Sequence, residues 1–353
     1  MSLAVTVLKN SAVLLLFLLF ISCGTKNKEY ANNVFPYSQF PQEKELKGEV
    51  IELDTALFRY PFRIRIEGDK AIVLDLHGSD YYGHLFQYPS FRYLSSFGRR
   101  GDSPLEMLSM ENFRLHNHTL WTLDANKSEL TRLDFSSSGD SLLREETVAL
   151  DEDILRPLDF AIYNDTTFVI PDYSGESRFL KVDCKGKLIE KIGTIPTTNK
   201  KALQEARPAL AQAWRSFLDY NSHNSVLATV TQLGEVVEIY NLKDSTHVIR
   251  VGEYDEPEFK VSDGYGIPTG IMGFSDVQVT DDAIYAVFHG TSFKDIARQS
   301  GRLSDGGKYI YVFSLKGEPL CKYVLDHYIY GIWVDEVTKT IMATDVNNDQ
   351  PIL

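Results

Sequence analysis

The chain has 353 residues, 43% of them apolar, 24% charged and 12% aromatic, which is the profile of a packed globular protein and excludes a disordered one. A net charge of −13 with no concentrated basic patch excludes a nucleic-acid binder, because phosphate recognition needs clustered Lys and Arg. The longest basic cluster is only Arg99-Arg100.

Residues 1–22 are a different material from the rest: a lone Lys9, an apolar run from Ala12 to Ile21, then Ser22 and Cys23. The run is shorter than the roughly 20 residues that span a bilayer and reads as a secretory signal peptide. A cysteine at the cleavage point resembles a bacterial lipobox, with Phe20 where Leu is usual. That resemblance implies that residues 1–22 are removed and that Cys23 carries the lipid. Acyl chains then hold the protein on a membrane without a crossing helix. Residues 23–45 are polar, carry Pro36 and Pro41 and lack periodicity, so they read as a tether.

The domain proper is expected over residues 46–353. Residues 50–54 (VIELD) alternate apolar and polar, a strand signal expected to close a ring by pairing into the last repeat. One pattern then recurs six times: an apolar stretch, a polar turn, and a second apolar stretch that usually ends on a small or acidic residue. The copies are residues 62–75, 113–124, 158–172, 217–229, 277–287 and 332–345. Their ends lie 49 and 48 residues apart in the first three and 57 to 58 apart later. A repeat of about 40 to 50 residues with several strands per unit is the signature of a β-propeller, whose blades close on one another because each alone leaves a sheet face bare. The predicted fold is therefore all-β, a six-bladed β-propeller.

Outer strands follow the inner hairpins, for example residues 179–183 turning at Lys185-Gly186 into 188–192. Two stretches break the pattern. Residues 200–220 are rich in Ala, Leu, Gln and Glu, the composition of helix, with Pro208 splitting the segment or starting its second half. Residues 292–303 are a shorter helical candidate.

At residues 96–106 (SFGRRGDSPLE) the chain resembles the six-bladed, TolB-like propeller lipoproteins of the Bacteroidetes. Gly98, Arg99, Gly101, Pro104 and Glu106 match that family's loop one by one, while Leu105 stands where Gly is usual. The likeness extends over nearly the whole chain and implies fold and anchoring. It carries no agreed active site. Surface-exported members carry acidic residues just after the lipidated Cys. Here residues 24–28 are GTKNK, which implies a cell-envelope protein facing the periplasm.

Propeller ligands usually meet a mouth of the central channel, where the inner strands begin. The candidates at those places are Arg63, Arg114, Asp159, Arg215, Asp276 and Tyr330. Arg63 and Arg114 occupy equivalent places, and two guanidinium groups facing one funnel can grip a carboxylate or sugar acid. Arg and Asp at repeated positions also satisfy one another between blades, and that structural reading competes with the functional one. His116 and His118 lack a third ligand at zinc spacing, and residues 345–349 lack the Gly and distal Glu of a calcium loop, so neither a metal nor a cofactor is expected. Cys184 and Cys321 fall in different repeats and are expected to stay unpaired.

No nucleophile elbow occurs. The expectation is a lipid-anchored, non-catalytic module that binds a ligand or an envelope protein. The rival is a glycan- or polyanion-acting lyase or hydrolase working at the channel mouth. A third expectation is a structural partner docking through an exposed face of the 200–220 helix.

Overall fold

Strand alternation is realised blade by blade. The computed structural model describes residues 32–298, apart from 52 and 54–57, and residues 304–347. Residues 1–31, on which the expected signal peptide, the lipid site at Cys23 and the first part of the expected tether fall, lie outside the described residues. Every sequence repeat becomes an inner hairpin: Pro61–Glu67 with Lys70–Asp75, Met110–His116 with Thr119–Asp124, Ala161–Asn164 with Thr167–Pro171, Ser216–Asn221 with Val226–Thr231, Phe274–Val279 with Ala283–Phe288, and Ile332–Asp335 with Thr340–Ala343. Two further antiparallel strands complete each of the first five blades. Among the described residues the sixth is a two-stranded sheet. The six inner strands touch in chain order and the last meets the first, so the ring closes into an all-β, six-bladed propeller, as the repeat predicts.

The acid that ends a repeat has a structural task. Asp75 accepts the N–H groups of Arg59 and Tyr60 at 2.9 and 2.7 Å, and Asp124 accepts those of Leu108 and Ser109 at 2.7 and 3.1 Å. Each carboxylate thus pins the loop that enters its own inner strand, satisfying backbone donors that no ladder reaches. The 96–106 motif is built the same way. Gly98 (φ +65°) and Gly101 (φ +153°) take conformations that favour glycine, and a Cβ on Gly101 would meet the Glu106 carboxylate. Glu106 in turn accepts the Ser103 N–H, so the motif is a self-closed loop.

The tether expectation is corrected for its second half. Val34–Pro36 pairs parallel to Thr246–Val251, the outer strand of blade four, and Glu43–Leu46 pairs parallel to Pro319–Ile329, the outer strand of blade five. Residues 34–46 are thus a strap across two blades, held because each outer strand has an edge with unpaired backbone groups. The closing strand expected at 50–54 is not seen as such. Residues 52 and 54 lie outside the described set, and Ile51 and Leu53 stand outside any strand. Both pack against the Phe58, Ile64 and Phe86 cluster, which also receives Trp333 and Met342 from the sixth sheet. They therefore serve the closure as apolar filling.

The helical insertion forms two short helices, α1 (Lys200–Glu205), capped by Asn199, and α2 (Arg207–Ala213), with Pro208 in its first turn, where a missing N–H costs nothing. Leu210, Ala211, Ala213 and Trp214 are buried in a cluster with Val236, Ile249 and Val251 of blade four. The apolar face expected to await a partner is therefore already covered. A hairpin, Phe259–Ser262 with Tyr265–Pro268, packs on α2, where the Gly266 N–H donates to Gln212 Oε1 at 2.9 Å. A third helix, α3 (Phe293–Arg298), occupies the described part of the second helical candidate. Cys184 and Cys321 are both free.

Candidate functional site

The six predicted channel residues do not gather at one mouth. Arg63, Asp159 and Asp276 are about 1% exposed and sit inside the channel wall. Asp276 joins three blades: it lies 3.2 Å from Arg63 Nε and 3.5 Å from Arg65 Nη1, both of blade one, and accepts the Ile332 N–H of blade six at 2.8 Å. Asp159 of blade three likewise joins three blades. It accepts Arg114 Nη2 at 2.7 Å from blade two and the Leu218 N–H at 3.1 Å from blade four. Gln278 completes the seam, accepting the Val334 N–H and donating to the Val334 carbonyl. These are inter-blade stitches in which the buried arginines pair with carboxylates of other blades, Arg63 and Arg65 sharing Asp276, while Arg63 Nη2, Arg65 Nη2 and Arg114 Nε keep no hydrogen-bond partner among the described residues.

Arg63 stacks over the Phe62 and Phe217 rings at 4.1 and 4.5 Å, and burial lowers its pKa. Arg114 lines a cavity of about 190 Å³ at the end of the channel where the inner strands finish, together with Arg65, His116 and Asp219. Burial raises the Asp219 carboxyl, whose Oδ2 accepts the Val279 N–H at 2.8 Å. Arg215 and Tyr330 alone stay at the mouth where the strands begin. Arg215 faces Glu111 at 3.8 Å. Tyr330 lines a second cavity of about 190 Å³ with His289 and Asp305. His116 and His118 are drawn apart, one to Asp165 of blade three and the other to Glu67 of blade one.

A larger cavity, about 470 Å³, lies off the axis between blades four and five. The strap makes it. After Pro36 the chain crosses from one blade to the next and lays Tyr37 and Phe40 on Tyr311 and Phe313 of blade five, with ring centroids 4.7 to 6.4 Å apart. Below this roof lies Glu235, immediately before blade four's third strand (Val236–Asn241) and 3% exposed. Its Oε1 accepts the Tyr37 hydroxyl at 2.9 Å and its Oε2 the Tyr254 N–H at 3.1 Å. Gly252 permits this burial, since a Cβ there would stand 1.9 Å from the Glu235 carboxyl carbon.

Burial pushes Glu235 from 4.5 up to about 7, against hydrogen bonds from the Tyr254 N–H, the Tyr37 hydroxyl and the Glu253 N–H that lower it, and the Glu253 charge adds to the rise. His289 on the same wall is held neutral. Its Nδ1 accepts the Thr291 N–H at 3.1 Å, its Nε2 donates to the Ser304 carbonyl at 2.8 Å, and burial lowers its pKa. Lys308 and Lys322 reach the cavity over the Tyr328 and Tyr309 rings, and Lys322 is also paired with Glu43 at 3.0 Å. Chemically the cleft offers aromatic groups, phenol hydroxyls, one carboxyl raised by burial to about 7, and two lysines, of which Lys322 is paired with Glu43. Sequence reasoning missed all of it, since Glu235 carries no local signal among 49 acids.

A six-bladed ring of this design has a counterpart among known families. The family model of TolB-like six-bladed propellers matches residues 39–337. The chain belongs to that family. As a TolB-like propeller it is similar in structure to a DUF4221 member from Bacteroides vulgatus, with a TM-score of 0.52 and 9% identity, covering 85% of this chain and 93% of that one. It is also similar to an auxiliary nutrient binding protein from Bacteroides ovatus, with a TM-score of 0.52 and 10% identity, covering 84% of this chain and 69% of the other. At such identities the likeness is one of fold. No curated protein sequence matches this TolB-like propeller.

Proposed function

We propose that this propeller is an exported, non-catalytic binding module, held on a membrane of the cell envelope by a lipid on Cys23 and facing the periplasm, with its ligand in the cleft between blades four and five. The observation that carries the reading is the contrast between two polar regions. In the channel, Arg63, Arg114, Asp159 and Asp276 are spent on one another. In the cleft, a cavity of about 470 Å³ keeps aromatic faces and polar groups turned toward the open space. Concave sites of this size, with a few convergent polar groups, are where small ligands bind. The leader and Cys23 supply the anchor, and the fold likeness to a nutrient binding protein agrees with binding.

A thermal-shift panel of neutral sugars, uronic acids, dipeptides and calcium tests the reading on the full chain in a sugar-free detergent. One class is expected to stabilise the wild type but not Tyr254→Ala, by about 2.7 kcal/mol at 100-fold over Kd. Stabilisation lost instead in Tyr220→Ala, whose side chain lines the channel cavity that holds Arg114 and Asp219, or no stabilisation by any class, overturns it.

A second reading, a glycan-acting enzyme, is favoured by one observation. A carboxyl raised to about 7 beside another acid is the protonation state a general acid needs. Release of product from a ligand that binds, abolished by Glu235→Gln, would establish it.

A further inference from the structure

We propose that the cleft takes an uncharged, polyhydroxylated ring, a saccharide of one or two units; this rests on the reading that the cleft is the binding site. The charges on its walls argue first. Lys308 and Lys322 oppose a cationic ligand, while Glu43, Glu235 and Glu253 oppose an anionic one. A neutral ligand meets neither repulsion. The surfaces argue next. Tyr254 is 49% exposed at the rim and offers the open ring face, while Tyr309 and Tyr328 are half-buried along the wall with Lys322 and Lys308 over their rings. A sugar ring presents a flat face of C–H groups that packs on such rings, while its edge of hydroxyls needs partners.

Those partners are in place. Glu235 uses one acceptor site on each oxygen, for Tyr37 and for Tyr254. The Glu253 backbone N–H takes a third, and a carboxylate has about four such sites, so one remains for a ligand hydroxyl. The phenol groups of Tyr254, Tyr309 and Tyr328 can each give or accept one hydrogen bond. His289 contributes shape only, since both its nitrogens are occupied. A volume of about 470 Å³ falls within the usual range of small-molecule sites and suits a ligand of one or two rings.

Isothermal titration calorimetry on the full chain in a sugar-free detergent decides it, with glucose, galactose, mannose, maltose and cellobiose as neutral probes, galacturonate as anion and glucosamine as cation. At least one neutral sugar is expected to bind saturably and to lose about tenfold or more in affinity in Tyr254→Ala. That ring lies at the rim and its backbone N–H is untouched by the change, so an unaltered circular dichroism spectrum and melting temperature are expected beside it. Binding confined to galacturonate or glucosamine, and sensitive to Tyr254→Ala, overturns the ligand class and leaves the cleft as the site. Sugar binding that survives Tyr254→Ala overturns the placement. No binding by any probe at millimolar concentration overturns the saccharide assignment, and a dipeptide or calcium shift lost in Tyr254→Ala would then still uphold the cleft.

Discussion

Glu235 shows how far a single side chain's chemistry is set by what surrounds it. In water a glutamate ionises near 4.5; here burial moves that to about 7. Because the folded-state value is raised above the unfolded one, the fold favours the protonated acid. The contribution is fully present below the unfolded value and is lost as pH rises through about 7. The wild type is therefore expected to lose about 3 kcal/mol relative to Glu235→Gln between about pH 5 and about pH 8. The amide mimics the protonated acid, its nitrogen donating to Tyr37 and its oxygen accepting from Tyr254. Urea midpoints of both proteins across that range measure the difference, and parallel curves would show that the carboxyl is more solvated than its burial implies. Arg63 and Arg114 could be picked out from their equivalent places in the repeat. Glu235 could not, because the groups that bury it come from Tyr37 and Tyr254, and Tyr37 lies 198 residues away in sequence.

At the scale of elements, the strap is the feature that turns two blades into a site. Its strands are three and four residues long and pair parallel, so they lack the hairpin turn and the alternation by which the blade strands announce themselves. Pro36 and Pro41 make the segment read as a tether, yet Pro is tolerated on an edge strand. A chain beginning at residue 47 is expected to keep the propeller but to lose about 2 kcal/mol or more, since Tyr37 and Phe40 no longer cover Tyr311 and Phe313. It should also bind no cleft ligand. Denaturant unfolding and calorimetry test the two losses separately. The helical insertion was legible from composition and from Pro208. Its burial was not, because an amphipathic segment looks the same whether its apolar face meets blade four or a partner.

The whole molecule depends on closing a ring whose sixth place holds two described strands. The closure relies on side chains: Asp276 to the Ile332 N–H, Arg65 Nη1 to the Ile332 carbonyl at 2.8 Å, and Gln278 to Val334. Removing one member of a buried ion pair leaves the other uncompensated, so Asp276→Ala is expected to cost about 3–5 kcal/mol. Trp121 on blade two, Trp214 before blade four and Trp333 on blade six give each region its own fluorescent probe. In variants that keep one tryptophan each, Asp276→Ala should lower all three thermal midpoints together. A fall at Trp333 alone would mean that the sixth blade opens independently of the ring.

The sequence by itself determined the inner hairpins, the acids that pin their loops, the number of repeats and hence the ring. Each of those rests on alternation, turn residues and capping, which act over a few neighbouring residues and leave their mark locally. The tertiary structure alone decided that the channel's charges pair across blades, that the presumed tether binds two blades, and that the open polar cavity lies off the axis. A charge becomes a stitch or a site according to which groups share its burial. Those groups, as with Tyr37 and Glu235 or Arg65 and Asp276, are brought together only when the ring closes.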